Sequence, residues 1–129
     1  MKIKLNTIIM GNDKDNLIVS KVVDFGSQIL DLSQKMEDKR QYVIARQICK
    51  SGTSIGANVW EAQNAESVAD FIHKLKIAAK EADETAYWFA ICKRNPKYEY
   101  NDELKEDLLE ISKMLSKIIA SSKRRLNGQ

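Results

Sequence analysis

Apolar residues recur along this chain in steps of three and four, the spacing that places side chains on one face of a helix. There are four such seams, and short polar stretches separate them. Their first apolar residues are Ile18, Ile44, Val68 and Leu104, and their last are Met36, Ala65, Cys92 and Ile118. The pattern therefore predicts four amphipathic helices.

Residues suited to helix ends flank these seams. Ser67, with Asp70 three residues later, resembles a capping box before the third helix, and Asn101 can cap the fourth. The third helix should end before Pro96, because proline disfavours helical geometry in Asn95.

We expect a single all-α domain, an antiparallel up-down-up-down four-helix bundle, because long amphipathic helices with short links pack in that way. The predicted boundaries are an N-terminal arm at residues 1–12, the bundle at 13–125 and a tail at 126–129. In the arm, Ile3, Leu5 and Thr7 alternate with polar residues, which favours a short strand, whereas its terminal position favours disorder. Both interpretations stay open.

Composition agrees with long helices and limits the chemistry. The 129 residues include five glycines and one proline, too few for a turn-rich β-sandwich. Cys49, Cys92 and the single His73 provide neither a disulfide framework nor a four-ligand zinc site. We expect a cytoplasmic protein without cofactor or metal, and we expect no membrane association, because the sequence contains no export signal and no spanning apolar run.

The second seam contains small residues that are unusual inside a helix. Gly52 and Gly56 are four residues apart and so share a face, where missing side chains let another helix approach closely. The phosphate-binding loop is the alternative, but its glycine and lysine spacing is absent.

Polar residues also fall on or beside the second and third seams. Buried polar groups need partners, so we predict an interhelical network formed by Ser51, Asn58, Glu61, Lys80, Glu84 and Thr85. No nucleophile, paired histidine or metal-ligand cluster accompanies these residues, and we therefore expect no enzymatic activity and infer no small-molecule substrate.

Residues 86–92 are apolar on every side of the predicted helix, which exceeds what one small bundle can cover. Trp60 also lies off its seam. Self-association explains such surfaces, and the candidate interface residues are Trp60, Tyr87, Trp88 and Ile91. Stacking on nucleic-acid bases is the alternative for Trp60.

The net charge of +3 arises from separate acidic and basic blocks. Such blocks are typical of solvated helix faces with complementary neighbours, or of a basic surface for an anionic polymer. The candidate nucleic-acid-binding residues are Lys39, Arg40, Arg46, Lys50, Lys93, Arg94, Lys97, Lys123, Arg124 and Arg125. In an antiparallel bundle, Lys39, Arg40 and the cations within residues 93–97 lie at one end, and the cations at residues 123–125 lie at the other.

The segment Ser-Gly-Thr-Ser-Ile-Gly-Ala-Asn-Val at residues 51–59, with residues 70–78 and 80–88, resembles the bacterial 23S rRNA intervening-sequence proteins. The accessory variability determinant of diversity-generating retroelements is a relative. The resemblance implies a four-helix bundle assembled as a ring-shaped homopentamer, a nucleic-acid-binding role in some members and no enzymatic activity. This sequence departs from the family at Trp60, where a small or acidic residue is usual.

Two functions follow as hypotheses. The first is a non-enzymatic oligomer that binds RNA or DNA through its basic residues. The second is a structural or protein-interaction module whose charged blocks pair between subunits.

Overall fold

The computed structural model describes residues 13–128, and side chains from residue 17 onward; the predicted arm at 1–12 lies outside this range. The described residues form four α-helices and no strand: α1 Asp13–Asp38, α2 Tyr42–Ala62, α3 Val68–Arg94 and α4 Asp102–Leu126. The predicted all-α fold with four helices is confirmed.

The predicted caps of the third and fourth helices and the end of the third helix are also confirmed, whereas the second helix ends at Ala62, before the last seam residue Ala65. The Ser67 hydroxyl accepts a hydrogen bond from the Asp70 backbone N–H at 3.0 Å, and the Asn101 side chain accepts one from the Leu104 N–H at 2.7 Å. These bonds satisfy N–H groups that have no partner within the helix. Helix α3 ends one residue before Asn95, whose extended backbone (φ −120°) matches the restriction imposed by Pro96.

Nearly every predicted seam residue is buried in one core to which all four helices contribute. The exception in α2 is Asn58, which is half-buried, while Val59 beside it is fully buried. The seam therefore steps from Ile55 to Val59 and then to Ala62. A four-residue step followed by a three-residue step keeps the larger apolar side chain in the core and turns the amide toward the helix edge.

Helix α2 meets α1 along the face that carries its two glycines. A Cβ atom at Gly52 would lie 2.9 Å from Cγ1 and Cγ2 of Ile29, and one at Gly56 would lie 3.2 Å from the carbonyl oxygen of Val22. Both glycines thus lie where a side chain on α2 would collide with α1. The paired residues follow opposite chain directions in the two helices.

The remaining contacts complete a ring of neighbours in which α3 packs against α2 and α4, and α4 also packs against α1. Between α3 and its link to α4, the rings of Phe89 and Tyr100 meet edge to face with centroids 6.0 Å apart. Between α1 and α4, Lys21 forms a 2.9 Å ion pair with Glu110. The α1/α2 and α3/α4 contacts therefore lie on opposite sides of the helix cluster.

Candidate functional site

The link between α1 and α2 and the link between α3 and α4 are neighbours in the structure. The Gln41 side-chain amide donates a 2.7 Å hydrogen bond to the carbonyl oxygen of Lys97, and Lys39 forms an ion pair with Glu99. These contacts join segments almost sixty residues apart in the chain. We call this region the link end.

Helix α1 finishes at the link end in a tight reversal. The N–H groups of Lys39 and Gln41 bond to the carbonyl oxygen of Met36, and Arg40 adopts the left-handed conformation with φ of 60°. Glycine usually occupies this position of a helix end. Here an arginine occupies it, and its side chain is exposed.

All ten candidate nucleic-acid-binding side chains are exposed. Five of them lie at the link end: Lys39, Arg40, Lys93, Arg94 and Lys97. Arg46 and Lys50 follow one turn apart along α2. The remaining three, Lys123, Arg124 and Arg125, occupy the last turn of α4, far along that helix from its link with α3.

Acidic residues accompany the cations at the link end. Glu37 and Asp38 lie in the last turn of α1. Asp102 and Glu103 lie in the first turn of α4, where the positive end of the helix dipole stabilises their negative charge. The hydrogen bond from Lys39 and its positive charge lower the pKa of Glu99. The link end therefore combines exposed cations with several nearby carboxylates.

One interhelical hydrogen bond forms within the predicted polar network. The hydroxyl oxygens of Ser51 and Thr85 are 2.9 Å apart and buried, and Thr85 Oγ1 also lies 2.8 Å from the carbonyl oxygen of Glu81. A hydroxyl has a single proton. When Thr85 donates to Glu81, the Ser51 hydroxyl must therefore donate to Thr85.

The rest of that network is corrected by the structure. The Asn58 amide donates to the carbonyl oxygen of Ser54 in its own helix at 2.9 Å. Glu61 is exposed and accepts a hydrogen bond from Lys74 at 3.0 Å rather than from Lys80. Polar side chains at helix edges find partners one turn away, as Asn58 does, or at the exposed edge of a neighbouring helix, as Glu61 does, so they do not require partners across the core.

Glu84 and Lys80 are both exposed on α3. The Glu84 carboxylate accepts a 3.1 Å hydrogen bond from the indole N–H of Trp88, one turn later in the same helix. Trp88 is half-buried and packs edge to face on Tyr87, with ring centroids 5.0 Å apart. Glu84 thus anchors an aromatic pair on α3 instead of joining α2.

The candidate interface residues occupy two separate surfaces. Trp60, 58% exposed, lies at an apolar groove between α1 and α2 together with Val23 and Leu30, each 54% exposed. Tyr87, 59% exposed, lies on α3 with the half-buried Trp88 and Ile91. We call the first surface the α1/α2 groove.

Val23 and Leu30 were missing from the candidate interface residues. They are seven residues apart in α1, a helical repeat that lies off the core seam. This second apolar repeat in α1 is the sequence feature from which Val23 and Leu30 could have been predicted as surface apolar residues. It places two large apolar side chains on the same groove as Trp60.

Chemistry outside these surfaces is limited in the described part of the chain. Between residues 13 and 128, no group of three His, Cys, Asp or Glu side chains is placed to hold a metal ion. No helix in that range combines the length and apolar character needed to cross a membrane. Burial raises the pKa of the Cys92 thiol, which makes it a poor nucleophile.

Comparison with known proteins gives two findings. Residues 14–117 match the family model described as 23S rRNA-intervening sequence protein. The chain is also similar to a solved structure from Bacteroides thetaiotaomicron VPI-5482, a protein of unknown function from the S23 ribosomal protein family. That match has 41% sequence identity and a TM-score of 0.79 and covers 83% of this chain and 98% of the other. No curated protein matches the chain.

Proposed function

The chain belongs to the 23S rRNA-intervening sequence protein family, and on that premise we propose that it is a non-enzymatic, oligomeric protein that binds nucleic acid through exposed cations. The proposal places it in the cytoplasm. The link end is the main contact for phosphates, and Arg46 and Lys50 extend it along α2.

The observation that carries this proposal is the grouping of cations from two distant segments at the link end. Lys39 and Arg40 belong to the α1/α2 link, and Lys93, Arg94 and Lys97 belong to the end of α3 and its link to α4. Exposed lysines and arginines bind phosphates by displacing counterions. The Gln41 hydrogen bond to Lys97 holds the two segments together.

Assembly strengthens this electrostatic argument. The 18 acidic residues of the chain leave its 21 lysines and arginines with a net charge of only +3, but a pentamer would carry five times that charge. We propose an antiparallel bundle that assembles as a ring-shaped homopentamer, as the family resemblance implies. The reversed pairing of α1 with α2 and of α2 with α3 supports the antiparallel arrangement.

The two exposed apolar surfaces support the ring. The α1/α2 groove carries Trp60, and α3 carries Tyr87 on a different side of the molecule. Different surfaces that contact each other produce head-to-tail assembly, which closes into a ring when the rotation between copies allows it. Light scattering tests this part, because a monomer mass would contradict it.

Nucleic-acid binding is tested by affinity for RNA and DNA across a salt series. Between about 50 and 200 mM salt, affinity should fall steeply, with a slope set by the number of phosphate contacts. Alanine at Lys93, Arg94 and Lys97 should lower the magnitude of that slope by up to about 2 for a single strand and up to about 2.7 for duplex DNA. The matched control, alanine at Lys123, Arg124 and Arg125, removes the same charge and should have a smaller effect.

A structural or protein-interaction module is the second candidate. It is favoured by the three ion pairs found within residues 13–128, Lys21–Glu110, Lys39–Glu99 and Lys74–Glu61. They show that some of the charged residues already have a partner within the chain. Absence of binding to RNA and DNA at low salt would favour this second candidate.

A further inference from the structure

A partly enclosed apolar cavity of about 180 Å³ lies between α3 and α4, apart from the α1/α2 groove. The buried side chains of Phe89 and Leu108 line it, together with the half-buried ring of Tyr100. An engineered cavity of about 150 Å³ with aliphatic and aromatic walls binds benzene. The space here is thus sufficient for one aromatic ring, and because the cavity is only partly enclosed, the second ring of a purine can lie in its mouth.

The edge of this cavity is positively charged. Lys93 and Arg94 approach it from the last turn of α3, and Lys105 approaches it from α4. Asp102 and Glu106 lie near Tyr100, whose pKa is raised first by burial and then by these carboxylates. Tyr100 therefore keeps its hydroxyl proton.

We propose that this cavity receives one unpaired base of a single-stranded nucleic acid whose phosphates lie on Lys93, Arg94 and Lys105. The inference rests on the proposed function, because Lys93 and Arg94 are also part of the link end. A strand bound there passes the mouth of the cavity. A strand with unpaired bases can place a ring inside it without the unpairing and unstacking that a duplex would require.

The shape and charge of the cavity favour a nucleic-acid base with its phosphates over other anionic molecules that carry an apolar group. Phe89 and Tyr100 stand at an interplanar angle of 69°, so one can stack on a planar ring while the other meets its edge. A long acyl chain needs more depth than this volume provides. Base stacking on aromatic side chains also tolerates any sequence, since every base has a π-face.

The test fills the cavity from its rim. Ala86 lines the cavity and is exposed, so Ala86→Leu adds bulk without disturbing the core. Ala120→Leu is the matched control at an exposed position of α4. The probes are a single-stranded RNA of about ten nucleotides that contains one 2-aminopurine and a duplex of the same length.

The wild-type protein should bind the single strand at least about tenfold more tightly than the duplex and change the 2-aminopurine emission. Ala86→Leu should weaken single-strand binding by about tenfold, remove the emission change and leave duplex binding as it was. Ala120→Leu should match the wild type in every measurement.

Different results separate this inference from the proposed function. Single-strand binding that Ala86→Leu leaves unchanged overturns the inference alone, as does a duplex affinity equal to that of the single strand. No binding of either probe by the wild type at low salt overturns both. A changed oligomer mass in Ala86→Leu also overturns the inference, since it assigns the cavity to contact between copies.

Discussion

Helix α2 packs against α1 through glycines and against α3 through a pair of hydroxyl groups. On the first flank, Gly52 and Gly56 leave space that Ile29 and Val22 occupy. On the second flank, Ser51, the residue before Gly52, faces Thr85. Two adjacent residues, Ser51 and Gly52, therefore serve two different neighbours by different means.

The difference concerns what each flank tolerates. A glycine contact depends on shape, so any added atom must displace the facing helix. A buried hydroxyl pair depends on hydrogen bonding, because removing the Thr85 hydroxyl leaves the buried Ser51 hydroxyl without its partner. The glycine flank should therefore be sensitive to enlargement and the hydroxyl flank to deletion.

Gly52→Ala is expected to give the largest effect. The new Cβ would lie 2.9 Å from two carbons of Ile29, and the free energy of unfolding should fall by about 2 kcal/mol despite the better helix propensity of alanine. Urea unfolding followed by circular dichroism measures the change.

The control for Gly52→Ala is Gly26→Ala in α1. A Cβ at Gly26 meets nothing within 4 Å, so this variant should be more stable than the wild type by up to about 1 kcal/mol. Adding Ile29→Ala to Gly52→Ala should cost less than the two single changes summed. Simple additivity would show that Ile29 is not the residue that limits position 52.

Thr85→Val is expected to destabilise by about 1.5 kcal/mol, because it leaves the buried Ser51 hydroxyl without Thr85 Oγ1 as a partner. The same urea titration measures it. In a double-mutant cycle, Ser51→Ala combined with Thr85→Val should cost less than the sum, since no unpaired group is left. If the double variant lost as much stability as the two single variants together, the two residues would not be coupled.

Gly56→Ala should destabilise by only about 0.5 kcal/mol. Its Cβ would lie 3.2 Å from the Val22 carbonyl oxygen, a smaller overlap than at Gly52, and the gain in helix propensity offsets part of the cost. Thermal unfolding beside Gly52→Ala gives the comparison. If Gly56→Ala lost more stability than Gly52→Ala, the closest contact between α1 and α2 would lie at Gly56 and not at Gly52.

Glu61→Gln should have the smallest effect, below about 0.5 kcal/mol, because the Glu61–Lys74 ion pair lies at the exposed edge of the α2/α3 flank. Stability of the variant and the wild type should converge at high salt, where exposed charges are screened. A larger loss that persists at high salt would mean that this flank depends on the ion pair as well as on Ser51 and Thr85.

The sequence pattern predicts the helices well because core positions repeat over many turns. It is harder to predict which of two nearby residues occupies the core. After Ile55, the next core residue is either Asn58 or Val59, because both spacings suit a period of 3.6. Side-chain chemistry decides in favour of Val59, which is fully buried.

The polar network was predictable only in part. Ser51 and Thr85 lie on core seams, so each needs a partner inside the bundle. Asn58 and Glu84 lie at helix edges, where Ser54 and Trp88 are available one turn away. Sequence spacing alone does not show which of these local partners is taken.

The cavity between α3 and α4 has no sequence signature. It depends on the angle between the Phe89 and Tyr100 rings and on Ala86 at its rim, and these become neighbours only through packing. The second apolar repeat of α1, by contrast, could be found by extending the search for periodicity beyond the core seam.

Gly56 affects both the packing of α2 against α1 and the surface of the α1/α2 groove. The missing side chain that lets α2 approach Val22 also forms part of the floor of the α1/α2 groove, beside Gly26 and Ala57. The depth of that surface depression is therefore inherited from the packing of the interior. Substitutions that fill the groove at this position cannot be selected independently of helix spacing, so the shape of the surface and the stability of the fold must evolve together.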